Sequence, residues 1–190
     1  ALLTATNIDG PSYIAIDRQS GEPAKNQPRP EGDSWYTDPR ISDSYILTND
    51  FYSSWSHIFD RGHLTRRNDP TWGDNATRAN KDTFHFTNCS PQHWKFNESI
   101  QFWQGVERYV LEQGLWESGL QRRLTVLQGP LYDGPQPLYA DDVQVPNAFW
   151  KIVVWKGATG LKSVALIVDQ TDLLSLTRKG GMTPDPDARA

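Results

Sequence analysis

Three β-rich runs in the last third of the chain, Leu124 to Gly129, Phe149 to Trp155 and Ser163 to Asp169, are set apart by Gly and Pro clusters. Runs of that length, rich in branched and aromatic residues and bounded by turn formers, read as strands. Ahead of them lies one clear helical pattern. Ile100, Trp103, Val106, Val110 and Leu111 recur at three- and four-residue intervals, which predicts a helix from Asn97 or Glu98 to Gln113 with Gly114 as its C-cap. The class this implies is α+β. The 190 residues suffice for one domain, 1–190, with a sizeable core and a frayed tail over 178–190.

The rest of the chain reads less regularly. Residues 1–9 predict a strand entering a turn at Gly10, and Pro11 to Tyr36, rich in Pro, Gly, Asn and charge, reads as irregular. A turn is expected at Asp38-Pro39, an extended segment over Ser53 to Phe59, and a loop over Asn68 to Trp72. Asn75 to Lys81 predicts a short helix carrying Arg78, and Thr83 to Asn88 a strand ended by Ser90-Pro91. Leu115 to Leu120 reads as a second short helix, and Val145-Pro146-Asn147 as a turn entry.

Composition narrows the function classes. Mean hydropathy is −0.65 and the longest apolar runs, such as Val164 to Val168, are far too short to span a bilayer, so the chain reads as soluble. One cysteine, Cys89, forms no internal disulfide and leaves the redox compartment open. Eight tryptophans predict core or shelf residues. The net charge of −4 argues against a tight nucleic-acid binder, which ordinarily carries a basic footprint. It leaves room for a local basic groove, and Arg61, Arg66 and Arg67 lie within seven residues of one another around His63. No leader peptide is visible. The start reads as that of a mature, processed or excised domain of something larger, with a secreted, periplasmic or delivered destination.

The chemistry concentrates in Asp60-Arg61-Gly62-His63 and in Thr87-Asn88-Cys89-Ser90-Pro91-Gln92, followed by Phe96-Asn97, Trp103 and Glu107. Hydrolysing a phosphodiester needs an activated water, charge stabilisation on the phosphoryl oxygens and help for the leaving oxygen. His63 suits the first task, because an imidazole titrates near working pH. Gly62 before it allows close approach, and Arg61 offers a planar fork for phosphate. Asn97 offers one neutral oxygen to a hard cation that keeps most of its water, as Mg²⁺ does. On one continuous helix Asn97 and Glu107 would sit about 80° off a shared face, whereas Trp103 and Glu107 share one. A loop before the helix would let Asn97 swing toward Glu107. The bland alternative for Glu107 is a solvated helix carboxylate. Asn88 and Gln92 read as bracing a turn by hydrogen bonds. His57 and His93 have no such surroundings, and His85 reads as a satisfied core residue.

These residues together resemble the DNA/RNA non-specific endonucleases of the ββα-metal superfamily. Thr4 to Gly10, Trp35 with Asp38-Pro39, Gly129-Pro130, and Val145-Pro146 with Phe149-Trp150-Lys151 resemble further family landmarks in the right order, over roughly residues 1 to 170. The resemblance implies a central antiparallel sheet flanked by helices, with His63 on a β-hairpin and Asn97 on the crossing helix. It implies His63 as general base, Asn97 as direct Mg²⁺ ligand (Mn²⁺ as a substitute), and Glu107 holding metal-bound water. It also implies Arg61 on phosphate, Asn88 in support of the base or the metal-site helix, and products with 5′-phosphates. Arg66, Arg67 and Gln92 are the expected substrate contacts. DNA and RNA are the implied partners, no membrane is, and an inhibitor or immunity protein is a further implied partner. The chain departs from the family pattern in three places. Five residues, Glu98 to Phe102, separate the Asn from the Trp where many members have three. Family arginines are absent at Asp33 and Leu111. Arg29, Arg40, Arg66 or Arg78 is the candidate replacement for the first, and Arg108 for the second.

Two other readings compete. A catalytically silent nucleic-acid-binding module on the same fold would be expected to have lost the His or the metal Asn, and both are present. A carbohydrate-binding or interaction domain built on the tryptophans would not need the His63–Asn97 constellation.

Overall fold

A computed structural model describes residues 1–15, 34–112, 122–133, 138–140 and 142–175. Its scaffold is a four-stranded antiparallel sheet in the order β1-β4-β7-β8, formed by β1 (Thr4–Asp9), β4 (Arg123–Leu131), β7 (Ala148–Gly157) and β8 (Gly160–Asp169). The three predicted C-terminal strands are all there, each somewhat longer than the apolar run that announced it. β7 and β8 form a two-residue hairpin in which Gly157 pairs with Gly160. Gly160 has φ 129°, a backbone region closed to side chains with a Cβ, so the tight turn depends on glycine.

Alternation builds the core. Ile8, Leu124, Val126 and Val153 point inward from three strands and meet Val110 of α4 (Trp103–Glu112). A second cluster joins Leu64, Phe96, Trp103 and Phe149, and thereby fixes the segments around the candidate site to the sheet. Each such buried apolar side chain contributes about 1.5–3 kcal/mol. No described helix is long and apolar enough to cross a membrane.

The second sheet is a ribbon of two antiparallel strands, β2 (Phe59–His63) and β3 (Cys89–His93), and α3 (Trp94–Glu98) follows β3 without a linker. Here two expectations need correction. Ser53 to Phe59 is not extended. Asn49–Ser54 forms α1, because Phe51, Tyr52 and Trp55 are spaced to pack as a helical face, and the strand begins only at Phe59. Thr83 to Asn88 is not a strand. Phe86–Asn88 makes a 3₁₀ turn, and the strand is Cys89–His93 with Pro91 inside it. Proline is tolerated there because it faces the open side of the ribbon. The buried Gln170 covers that side: its Nε2 donates to the Pro91 carbonyl at 3.4 Å, and its Oε1 accepts from the His93 N–H at 2.9 Å.

The long helix is two helices. Ser99 leaves the helical region at ψ 133°, and its hydroxyl accepts from the Gln101 N–H at 3.1 Å, an alternative to continuing the ladder. Asn97 and Glu107 therefore stand on separate helices, and the shared-face geometry of one continuous helix does not apply. The predicted short helix appears as α2 (Ala76–Asp82), and the Asn68 to Trp72 loop is irregular. A small hairpin, β5 (Leu138–Ala140) with β6 (Val143–Val145), and α5 (Thr171–Ser175) had no counterpart in the sequence pattern. Gly114, Leu115 to Leu120, Arg29, Asp33 and the 178–190 tail lie outside the described residues, as does most of Pro11 to Tyr36.

Candidate active site

His63 ends β2 and is half-buried. Its ring packs 4.6 Å from Trp35 and edge-on to Phe84 at 4.9 Å, with Nε2 3.5 Å from the Thr83 hydroxyl. Asn88, 9% exposed, braces the backbone on both sides of that ring. Its Oδ1 accepts from the Thr65 N–H at 2.9 Å, and its Nδ2 donates to the Thr65 and Thr83 carbonyls, each at 2.9 Å. The bracing read from the sequence is the role these bonds describe.

Asn97 stands on α3, and its neighbour Phe96 is fully buried in the core. Asn97 Nδ2 donates to Asp60 Oδ2 at 2.9 Å, a bond from α3 back to β2. A carboxylate only accepts, so this bond assigns the amide nitrogen to Asp60 and turns the oxygen the other way. Asp60 and His63 are three residues apart on one strand, about 10 Å at 3.3 Å per residue.

Arg61 is exposed, and its Nη1 donates to Asn49 Oδ1 at 3.1 Å. Beneath the neighbouring position, a Cβ at Gly62 would overlap the Gln92 side chain. Gln92 is 0% exposed, so it packs under the strand and is closed to a substrate. The sequence had placed it among the substrate contacts.

Glu107 is not a solvated carboxylate. Its side chain is 12% exposed, and Arg66 reaches it twice, Nε lying 3.6 Å from Oε2 and Nη1 donating to the backbone carbonyl at 3.2 Å. Burial pushes the Glu107 carboxyl up to about 7, against the lowering charges of Lys151 and Arg66. Arg67 donates to Asn80 Oδ1 at 3.3 Å and lies over the Phe84 ring. All three arginines are thus bonded within the protein, Arg66 and Arg67 partly buried and Arg61 exposed. Arg40 is held by Asp38 and Arg78 by Asp82, each as an ion pair. His85, expected in the core, is only partly buried, with Nδ1 2.9 Å from the Asp82 carbonyl.

Three residues near these groups had no role in the sequence reading. Asp60 was legible as part of the motif but had no role assigned. Lys151 stands on the inward parity of β7 between Phe149 and Val153, a charged residue in an apolar row, and that break in pattern was a readable signal. Asp69, 2% exposed, gave no signal within its loop.

An antiparallel ribbon followed directly by a helix, with His63 on the ribbon and Asn97 tied back to it from the helix, gives this unit a ββα topology beside the sheet of an α+β fold. The model of the DNA/RNA non-specific endonuclease family matches residues 5–183, and the chain belongs to that family. It is 35% identical over 159 residues to the uncharacterized protein y4fB of Sinorhizobium fredii, matching 80% of this chain and only 22% of that protein. The chain therefore corresponds to about a fifth of that relative. Its fold is similar to a chain of the crystal structure of the EndoG/EndoGI complex, with a TM-score of 0.64 at 20% identity over 88% of this chain and 65% of the other.

Proposed function

We propose that this chain hydrolyses the phosphodiester bonds of DNA and RNA with little regard to sequence, leaving 5′-phosphate ends. The observation that carries the reading is the Asp60–Asn97 hydrogen bond, which aims one neutral oxygen away from the ribbon that also bears His63. Among the described residues no cluster of three or more His, Cys, Asp or Glu side chains forms a metal cage. A single amide oxygen fits Mg²⁺, or Mn²⁺ in its place, which takes few protein ligands and keeps its waters. When bound there, the ion would supply charge stabilisation to the phosphoryl oxygens and the leaving group.

The protein's own groups divide the remaining tasks. His63, its ring held between Trp35 and Phe84, accepts a proton from the attacking water. Arg61 binds a phosphate through its exposed fork. Glu107, anchored by Arg66, would orient water near such an ion. Phosphate and sugar contacts carry no base information, which suits a sequence-tolerant enzyme. An inhibitory protein is a fitting partner for such an activity, in keeping with the fold neighbour having been solved in complex with EndoGI.

Cleavage of supercoiled plasmid and of RNA, with Mg²⁺ and with EDTA, tests the reading. Metal-dependent nicking of both is expected, with Asn97→Ala needing much more Mg²⁺ for half-maximal rate. Binding of both substrates without cleavage would instead favour the silent module.

A further inference from the structure

We propose that Lys151 and Asp69 are positioning residues which, together with Arg66, hold the Glu107 carboxylate in a charge-balanced buried quartet. The inference rests on the nuclease reading for its catalytic consequence and on the packing alone for the quartet itself.

The four groups come from three separate parts of the chain: Arg66 and Asp69 from the segment after β2, Glu107 from α4 and Lys151 from β7. Lys151 is 1% exposed, Asp69 2%, and the Glu107 side chain 12%. The Lys151 ammonium lies 4.7 Å over the Trp103 ring, one helical turn from Glu107, and among the described residues no hydrogen-bond acceptor reaches it. The Asp69 N–H donates to the Arg66 carbonyl at 3.0 Å, so the acid and the arginine are held by one tight turn. Glu107 and Asp69 both act electrostatically on Lys151, and Lys151 and Arg66 both act on Glu107.

An ammonium buried without a hydrogen-bonding partner is costly, and an unbranched apolar side chain would fill the same space over Trp103 without that cost. What Lys151 adds to the site is therefore charge. With all four groups ionised, two cations face two carboxylates and the cavity is neutral; burial opposes that state, raising the Asp69 and Glu107 carboxyls and lowering the Lys151 ammonium. Removing Lys151 alone would set Asp69 and Glu107 in competition for Arg66 and draw the Glu107 carboxylate from its place. Removing Asp69 as well would return Glu107 to Arg66 as a simple pair.

The test is a double-mutant cycle of Lys151→Met and Asp69→Asn, read by melting midpoint and by cleavage at 25 °C. Each single variant should melt about 5 °C or more below native, since losing one partner leaves an uncompensated buried charge. Each should also lose roughly 10–100-fold in kcat with KM nearly unchanged, the usual size for a group acting through another. The double variant should regain most of both. A single variant that does not fold, beside a folded double variant, also supports the quartet. Additive losses, a Lys151→Met variant with native kcat and midpoint, or a double variant that cannot fold would each overturn it. If the native protein cleaves nothing, the nuclease reading falls, and the melting cycle still decides the quartet.

Discussion

The four-stranded sheet and the β2–β3–α3 unit are held together by different means. In the sheet, strands of six to ten residues run in uninterrupted register, and inward apolar side chains form the core. In the ribbon the strands have five residues each, and every residue of β3 is buried although three of its five side chains are polar. Beside the apolar contacts of Phe59, Cys89 and Phe96, its position depends on single polar side chains that bond backbone or one another: Asn88 to residues 65 and 83, Gln170 to residues 91 and 93, Asp60 to Asn97. Apolar packing tolerates changes of shape, whereas a buried polar brace fails when one partner is lost. The molecule thus sets a ribbon of strict geometry on a tolerant scaffold, and the ribbon carries the groups proposed for chemistry.

Mutations can break that contrast, beginning with the largest effect. His63→Ala should lower cleavage by about 10²–10⁴-fold. Circular dichroism should remain native, because the scaffold does not depend on that ring; a collapse of the fold would erase the distinction between the two regions. Phe149→Ala, in the cluster joining the sheet to α3 and α4, should cost about 3–5 kcal/mol in urea unfolding, with activity per folded molecule retained well below the midpoint.

The third effect is set by pH. The folded-state pKa of Glu107 lies near 7, above its ordinary 4.5. The folded protein therefore keeps this proton longer than the unfolded chain does. Stability from this group falls as pH rises from 4.5 to about 7 and is level above that. At about 1.4 kcal/mol per unit the full loss is at most roughly 3 kcal/mol, and Glu107→Gln should remove that slope from urea titrations at pH 5 and pH 8. The smallest effect expected is for Asn88→Ala, about 2 kcal/mol, from leaving the backbone groups of Thr65 and Thr83 unpaired. Unlike Phe149→Ala, it should also reduce kcat at temperatures where the protein is fully folded. Equal activity losses in the two variants would show that the brace and the core act alike.

The same contrast governs what could be read in the sequence. The sheet was legible because its alternation is the cause of its structure, and strands 124–129, 149–155 and 163–169 lie inside observed strands. Around the ribbon, local pattern misled. The segment from Ser53 to Phe59 looked extended but begins inside a helix and reaches its strand only at Phe59, Pro91 looked like a strand end and sits within one, and Ser99 breaks what periodicity joins. Each of these outcomes depends on a partner distant in sequence or on a side chain competing with the backbone. The candidate site was picked out in another way, through residue types suited to phosphodiester hydrolysis. His63, Asn97, Arg61 and Asn88 could be singled out before their neighbours were known. The interior placements of Gln92, Lys151 and Asp69 depend on tertiary packing.

The bond between Asp60 and Asn97 has a consequence for which ligand chemistry the site admits. A carboxylate is the commoner protein ligand of Mg²⁺. An aspartate at position 97 would bring two acids within hydrogen-bond range, where one must take up a proton or turn away. Asp60 thus acts as a filter at position 97, passing an amide and rejecting the corresponding acid. An ion bound through that amide would keep its full double charge for the phosphate it meets.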